Sequence, residues 1–599
     1  MLSFLFEKKS KFNIVILLFL FLALLTRLIL LDRVPIAFSH DEMGYVINAQ
    51  SIFLTGKGKA GNWQMSSLSP VETYLAELPA VFIAPFLSLP FNSTVNIRLL
   101  FVLLSLSLPF LLAEICFSLT KSKNTARFAL IIGLFNPWLW QNGRLTFDAI
   151  FSLWFYLLGI TLFLTNKNHL KLFSLIAFFL GFYCYQGFKL LLPFIGLLLF
   201  IFNFFTKKIK NKNSRKVWFC NLIFFMGLLS IFAFYIFGQL PKQAASLQRI
   251  DNQFFLPDNT QIKSVVDHDR RLAISSPITS VFVNKYFQFA KEIFGKLMLV
   301  FGWRELFFEI SASNTSFSVY DHGIFYLIDG LLIGIGLFVL VRDKKYKTLL
   351  FLISMLAVGT IPVLVTDNVW LFFRAAFIIP FLIIFSGIGL NQIFTKSKKL
   401  FFVFSVVYFI FVSNFTFNYF FRYPLYSAEG IFISPRILAS YLRRVADTQR
   451  VIVFENEPEF LFTSYIFYND LFTKPNANII QQNYNNKNYV MDNVVIQKCI
   501  PENLNMDEKN IYIFDVDADY CQTDLKENSS LDLDLELFKE KLALYIKQIK
   551  DSGDNYVIYQ DKLCLNQKDI KQYVYPNKFK HLAIDSLDND AFCTTWLTK

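Results

Sequence analysis

Residues 97–127 read IRLLFVLLSLSLPFLLAEICFSLTKSKNTAR, a mainly apolar run over 97–119 closed by a basic cluster from Lys121 to Arg127. About 20 apolar residues at 1.5 Å each cross a hydrocarbon core of roughly 30 Å. The run is therefore long enough to span a bilayer. The basic cluster marks the end that stays in the cytoplasm.

The same alternation repeats outward from this stretch. Apolar runs fall at about 12–31, 126–142, 148–165, 170–186, 189–205, 217–237, 323–341, 347–365, 371–391 and 400–420. Basic clusters at Lys8-Lys9-Ser10-Lys11, Lys167 to Lys171, Lys207 to Lys216, Arg342 to Lys347 and Lys396 to Lys399 all land on one side of this count. Another apolar stretch, 75–91, carries Pro79, Pro85 and Pro90. Three missing backbone donors, which lipid does not replace, predict a helix at the membrane surface there rather than a span. Counting it as a span would move every later basic cluster to the opposite side.

Composition agrees. The chain has 599 residues, 54% hydrophobic and 17% charged, with 73 Phe. Its mean hydropathy is +0.43. Soluble domains carry about 25% charged residues. The net charge of +13 sits in short clusters between apolar runs, so it reads as topology and not as a nucleic-acid footprint. Residues 12–31 are followed by Asp32-Arg33-Val34-Pro35, without a small-residue cleavage site, and are expected to remain as a first helix.

The fold expected is an all-α polytopic membrane domain of about eleven transmembrane helices over 1–420, with outer loops 32–96 and 238–322. Within the second loop, Tyr286 to Glu309 mixes aromatic and charged residues, as interfacial helices do. The N-terminus is placed in the cytoplasm and residues 421–599 outside it, in the plasma (inner) membrane of the cell envelope. Charged residues and Asn become frequent after 421. Strands are predicted at Arg450–Phe454, Asn493–Gln497, Asn510–Phe514 and Asn555–Tyr559, and a helix at Leu531–Lys550, giving a soluble α/β domain. Cys116, Cys184 and Cys220 lie in or beside apolar runs. Cys499, Cys521, Cys564 and Cys593 allow one or two disulfides, in any of three complete pairings.

Polar residues gather at the outer ends of the spans. The first outer loop opens with Ser39-His40-Asp41-Glu42-Met43-Gly44-Tyr45. Paired carboxylates there sit at headgroup level. The plainer reading is an N-cap, with Ser39 or Asp41 starting a surface helix through Gln50. Arg144 and Asp148 flank one outer turn, and Lys189 follows Tyr185 at the next. Arg374 stands just inside a later span, after Asp367. Arg98 begins the second span, and Glu72 and Glu77 lie on or beside the surface segment. Any one of these cations reads as a side chain snorkelling to the interface. As a set they oppose the depletion of Lys and Arg expected on this face, which points to an anionic ligand. A lipid-linked sugar presents such an anion. Arg and Lys can hold its phosphate and stabilise the charge that develops on departure, and a carboxylate can take the proton of an attacking hydroxyl.

The order Asp41-Glu42 and Tyr45 after the first helix, Pro70-Val71-Glu72-Thr73-Tyr74-Leu75, Arg98, Asn136-Pro137-Trp138 through Arg144 and Asp148, Tyr183 through Lys189 and Pro193, and Arg374 with Pro380 resembles a known family. It is similar to the multi-spanning, lipid-carrier-dependent glycosyltransferases of the GT-C fold, in the family 39-like group of protein O-mannosyltransferases and lipid A aminoarabinose transferases. The resemblance implies inverting transfer of a sugar from a polyprenyl phosphate to a lipid, glycan or protein acceptor outside the cytoplasm, as in protein O-glycosylation. It implies Asp41 as catalytic carboxylate, Glu42 in support, and Arg144, Lys189 and Arg374 for the carrier phosphate. His40, Tyr45, Glu72, Arg98, Asp148 and Tyr185 are further candidates. Metal use varies among such enzymes, so a divalent ion stays open. Many relatives carry His-Pro-Pro or Glu-Lys-Pro before the surface segment. Here Ser69-Pro70-Val71-Glu72 stands instead, with no basic residue beside Glu72. The competing reading is a transporter or flippase of a lipid-linked or anionic substrate, which should place charges and helix breaks near mid-membrane. Nothing in the sequence suggests a nucleic-acid partner.

Overall fold

The computed structural model describes residues 11–599 except 73–74, 166, 207–211, 241–258, 311–318, 367–370, 502–503, 505, 520, 522–542, 550–552, 566, 568, 571–575 and 577. Lys8, Lys9, Asp367 and most of the helix expected over Leu531–Lys550 lie outside the described residues.

A helix stands at each predicted span: α1 (Lys11–Leu28), α3 (Ser93–Thr120), α4 (Lys123–Phe135), α5 (Asp148–Leu164), α6 (Asn168–Phe182), α7 (Leu191–Thr206), α8 (Lys212–Phe234), α10 (Leu327–Arg342), α11 (Tyr346–Leu364), α12 (Ile379–Lys396) and α13 (Lys398–Phe417). Among the described residues five helices are long and apolar enough to cross a bilayer: Ser93–Thr120, Trp218–Gln239, Tyr346–Leu364, Ala376–Lys396 and Lys398–Tyr426. Shorter apolar helices accompany them, including Asp148–Leu164 and Asn168–Phe182. The chain is a membrane protein. Lacking a hydrophobic driving force between them in lipid, such helices pack through close backbone approach at small residues. A Cβ on Gly336 of α10 would lie 2.1 Å from the Phe385 carbonyl oxygen of α12, and one on Gly389 of α12 would lie 2.1 Å from that of Leu332.

The proline-rich stretch is more broken than expected. It forms only a short helix, Pro79–Ile83, and a 3₁₀ turn, Ala84–Ser88. Pro79 occupies the first helical position, where its missing N–H costs nothing, and Pro85 ends the α-helix. The stretch from Tyr286 to Glu309 holds α9 (Lys285–Val300) and a turn at Trp303–Phe307, with Tyr286, Phe294 and Trp303 exposed.

The segment between α1 and α3 contains α2 (His40–Thr55). The Ser39 N–H donates to Glu42 Oε2 at 2.9 Å, half of a capping box. Gly56, in the left-handed region at φ 73°, closes the helix by donating its N–H to the Ile52 carbonyl, a conformation that favours glycine.

After α13 come α14 (Ile433–Ala446), α15 (Pro458–Tyr468) and α16 (Ala477–Asn486). They pack on a six-stranded sheet of order β2-β3-β1-β4-β6-β5. Its strands are β1 (Val451–Phe454), β2 (Tyr489–Met491), β3 (Val494–Gln497), β4 (Ile511–Asp515), β5 (Ala543–Lys547) and β6 (Asp554–Tyr559). β1 lies between β3 and β4, parallel to both, with Ile452 opposite Val495 and Tyr512. The outer pairs are antiparallel. The helix expected over Leu531–Lys550 is corrected in its described part. Residues 543–547 are a strand whose burial alternates along the chain, because Leu544 and Ile546 are both fully buried, two residues apart on one face of the sheet. Disulfides join Cys499 to Cys521 and Cys564 to Cys593.

Candidate active site

α2 places its first turn against three other parts of the chain. Asp41 points outward with its side chain 60% exposed, and its carboxylate lies 3.9 Å from His40 Nδ1. The helix N-terminus favours negative charge at this position. Hydrogen bonding to Asp41 raises the His40 pKa above its ordinary value. The His40 ring stacks on Phe460 of α15 at 5.0 Å.

Glu42 turns inward and is fully buried. Its Oε1 accepts the Thr146 N–H at 2.5 Å, which ties α2 to the turn before α5. Burial pushes its pKa up, against the pull of the two backbone donors and Arg98. One turn on, Tyr45 donates to Asp148 Oδ2 at 2.5 Å and accepts the Ala76 N–H at 2.7 Å. A single phenol therefore joins α2, the first turn of α5 and the segment before the short proline helix. Gly44 makes that approach possible, since a Cβ there would lie 2.9 Å from Leu75.

Glu72 is held by Asn48 at 2.5 Å and by Lys59 at 2.9 Å. Lys59 also reaches Glu459 of α15 at 2.6 Å and lies 5.2 Å above the Tyr484 ring. Burial lowers the Lys59 pKa, but Glu72 and Glu459 outweigh it and the net shift is upward. Burial likewise raises Glu459, yet Lys59 and Tyr489 hold it below the ordinary carboxylate value. The family resemblance leads to the expectation of a cation next in sequence to Glu72. Here the cation comes from thirteen residues upstream.

Lys189 and Glu77 form a buried pair at 2.5 Å, with side chains 4% and 0% exposed. The ammonium lies 4.1 Å from the Tyr235 ring centre. Tyr185 packs on Phe188, and Gly187 has no room for a Cβ beside the Tyr185 ring. Arg374 is half-buried at the end of a turn, Leu371–Arg374, that touches the Gln186–Phe188 turn. Its neighbour Phe373 packs on Phe147, next to Asp148.

The two remaining arginines lie beneath this group. Arg98 donates to the carbonyls of Leu31 and Ala37 at 2.8 and 3.1 Å. Arg144 donates to those of Arg27, Val34 and Leu30 at 2.6, 2.7 and 3.0 Å. Both are buried, and they satisfy carbonyls at the end of α1 and in the strap after it, which the helix itself leaves open. The guanidinium of Arg144 thus serves main-chain oxygens where a phosphate was expected.

Asp41, Glu42, Tyr45, Glu72 and Asp148 are therefore gathered around α2, and Lys189, Tyr185 and Arg374 occupy adjoining turns. The sequence reading did not single out Lys59 or Glu459. Lys59 did carry a signal: with Arg33 and Lys57 it is one of three basic residues in an outer loop that the positive-inside rule should empty. Among the described residues no group of three or more His, Cys, Asp or Glu side chains is placed to hold a metal ion.

The fold is GT-C-like, a bundle of apolar membrane helices followed by an α/β portion. The chain is similar to ArnT from Cupriavidus metallidurans in the apo state, with a TM-score of 0.50 and 11% identity over 92% of this chain and 98% of that one. The same ArnT bound to undecaprenyl phosphate aligns with a TM-score of 0.49 and 11% identity, over 92% and 99%. An Archaeoglobus fulgidus oligosaccharyltransferase tethered to an acceptor peptide aligns at 0.43 and 10% identity, over 75% and 63%. At such identity the likeness establishes the fold alone. No protein-family model and no curated protein sequence matches the chain.

Proposed function

We propose that this protein is an inverting glycosyltransferase that moves a sugar from a polyprenyl-phosphate donor to an acceptor on the extracytoplasmic face of the membrane. The reading assigns eleven spans, a cytoplasmic N-terminus, a membrane domain over 1–420 and an extracytoplasmic domain over 421–599. Its main support is Asp41, an exposed carboxylate on a helix whose neighbouring side chains Glu42, Tyr45 and Asn48 are engaged in contacts within the protein.

In this mechanism the acceptor hydroxyl attacks the anomeric carbon while Asp41 takes its proton. The bond from that carbon to the phosphate oxygen breaks, and polyprenyl phosphate leaves with the electron pair. One displacement inverts the anomeric centre. A phosphate needs no acid to depart, unlike the leaving group of an ordinary glycoside. Lys189 and Arg374 stabilise the developing charge. Lys189 is paired with Glu77, and Arg374 is the second cation assigned to the phosphate. Arg98 and Arg144 hold the loop that carries Asp41. Tyr45 and Asp148 fix α2, and Glu72 with Lys59 shapes the acceptor side. ArnT, whose apo structure shares this fold, also has a structure bound to undecaprenyl phosphate, the kind of ligand this reading requires.

The test is transfer of labelled sugar from a synthetic polyprenyl-phosphate donor by purified protein. Wild type should transfer, and Asp41→Asn should lose about 10²–10⁴-fold in kcat. A fully active Asp41→Asn would remove the proposed base. A wild type inert toward lipid, glycan and peptide acceptors would remove the reading.

A further inference from the structure

Helix α9 is not a span, yet it is fastened where two membrane helices end. The short turn at 343–345 joins α10 to α11, so the start of α10 and the end of α11 share one face of the bundle. Lys296 of α9 donates to the Thr366 carbonyl, just past the end of α11, at 2.7 Å. The Trp303–Phe307 turn rests on the start of α10. The Phe325 N–H donates to the Leu306 carbonyl at 2.8 Å, and a Cβ on Gly330 would lie 3.1 Å from the Trp303 ring. These ties hold the C-terminal half of α9 at the level where α10 and α11 end. The first turns of α10 expose Leu327 and Leu331 there, so lipid reaches this level of the bundle.

α9 presents three different faces. Its N-terminus is fixed by the Asn284 side chain, which accepts the Tyr286 and Phe287 N–H groups. Ile293, Lys296 and the fully buried Val300 turn toward the bundle. Lys285, Gln288 and Glu292 recur at helical spacing on a second face, where Gln288 donates to Glu292 at 3.3 Å. Phe287, Ala290, Phe294 and Met298 recur at the same spacing on a third face, well away from the polar one. All four are exposed, Phe294 by 59%. Phe282 stands edge-on to Phe287 at 5.5 Å and extends the stripe, with Ile278 exposed beside it in sequence. Lys291 borders the stripe, where its long stem can carry the ammonium to headgroups. Leu299 alone breaks the pattern, in the last turn.

We infer that α9 is seated in the headgroup layer of a phospholipid leaflet, on the face of the bundle where α11 ends. Phe287, Phe294 and Met298 enter the edge of the hydrocarbon, and Lys285, Gln288 and Glu292 face water. A stripe of four side chains is small beside the roughly 1,200–2,000 Å² that stable protein contacts bury. It suits a helix already tied to membrane spans, because an interfacial helix buries its apolar face only about 5–10 Å into the boundary. The seat follows from the spans alone and holds whether or not the protein transfers sugar.

Single nitroxide labels on the full chain in phosphatidylcholine nanodiscs test this. They are placed at Phe287→Cys, Phe294→Cys and Met298→Cys in the stripe and at Lys285→Cys and Glu292→Cys on the polar face. Each is made in a Cys220→Ser background, since the other free thiols, Cys116 and Cys184, are buried. Relaxation by oxygen, which concentrates in hydrocarbon, should exceed relaxation by a water-soluble nickel chelate severalfold along the stripe, and the ratio should reverse on the polar face. The stripe positions and Lys285 are exposed, so labels there leave the core intact, and each stripe position is an independent test if another variant folds poorly. Stripe labels that meet the nickel chelate as readily as the Lys285→Cys label would put the helix in water. Stripe labels that meet neither reagent would put it under protein, a second copy included. Either pattern overturns the proposal.

Discussion

At the scale of single residues, the site contrasts two neighbouring carboxylates. Asp41 is exposed at the tip of α2 and Glu42 is buried at its root. Substituting Asp41 should therefore leave thermal stability unchanged while removing activity. Glu42→Ala should unfold or disorder the 143–147 turn, because Thr146 N–H and Ser39 N–H would both lose their acceptor. Differential scanning fluorimetry separates the two outcomes. A second residue-scale case lies in the sheet. Burial, with Asp515 beside it, raises Glu455 to about 8. A carboxyl whose folded pKa lies above its unfolded value binds protons more tightly when folded, so its contribution falls as pH rises from about 4.3 toward 8. Unfolding of the C-terminal region should accordingly become easier across that window, and Glu455→Gln should flatten the dependence. Equal pH slopes for the two proteins would refute this.

At the scale of elements, two contacts decide how helices meet. Gly336 and Gly389 bring α10 and α12 to backbone contact. Gly389→Leu should cost about 3 kcal/mol or more, above the usual ~1–3 kcal/mol of overpacking, since the obstacle is a carbonyl and not a flexible side chain. Thermal melting in detergent reads this directly. The other contact is the Lys59 bridge between the loop after α2 and α15. Lys59→Met leaves Glu72 and Glu459 facing each other. Breaking a fully buried pair costs about 3–5 kcal/mol, but the Glu459 side chain is 46% exposed, so solvent reduces the loss to about 1–2 kcal/mol. Adding Glu459→Gln to Lys59→Met should recover part of it. Strict additivity of the two substitutions would mean the bridge carries no coupling.

At the scale of the whole molecule, the proposed topology puts the candidate site and the sheet on one face and the basic clusters on the other. A cysteine at Ser586 should react with a membrane-impermeant thiol reagent in intact cells, and a cysteine at Lys344 only after permeabilisation. The opposite labelling would invert the topology. The C-terminal region is also fastened to the membrane bundle across a broad front. Gln481 donates to Ser51 and Thr55, and Arg436 reaches across to Ile36.

Hydropathy and strand patterning are local properties, and the sequence alone was enough for them. A helix stands at each predicted span, and the four predicted strands occur within a residue or so of their expected limits. The clustering of Glu42, Tyr45 and Asp148 near Asp41 was also legible, because residues at the same ends of the spans share a face before any packing is known. What each polar side chain touches was not legible. Arg144 sits at a turn between spans, as Lys189 does, yet it serves main-chain carbonyls while Lys189 meets Glu77. The partner of Lys59 lies 400 residues away at Glu459, and the four C-terminal cysteines chose one of three pairings. Charge and spacing place a residue at a depth and on a side. Only the folded chain, which brings distant backbone and side chains into hydrogen-bonding distance, decides whether that residue faces a ligand or closes a gap in the protein itself.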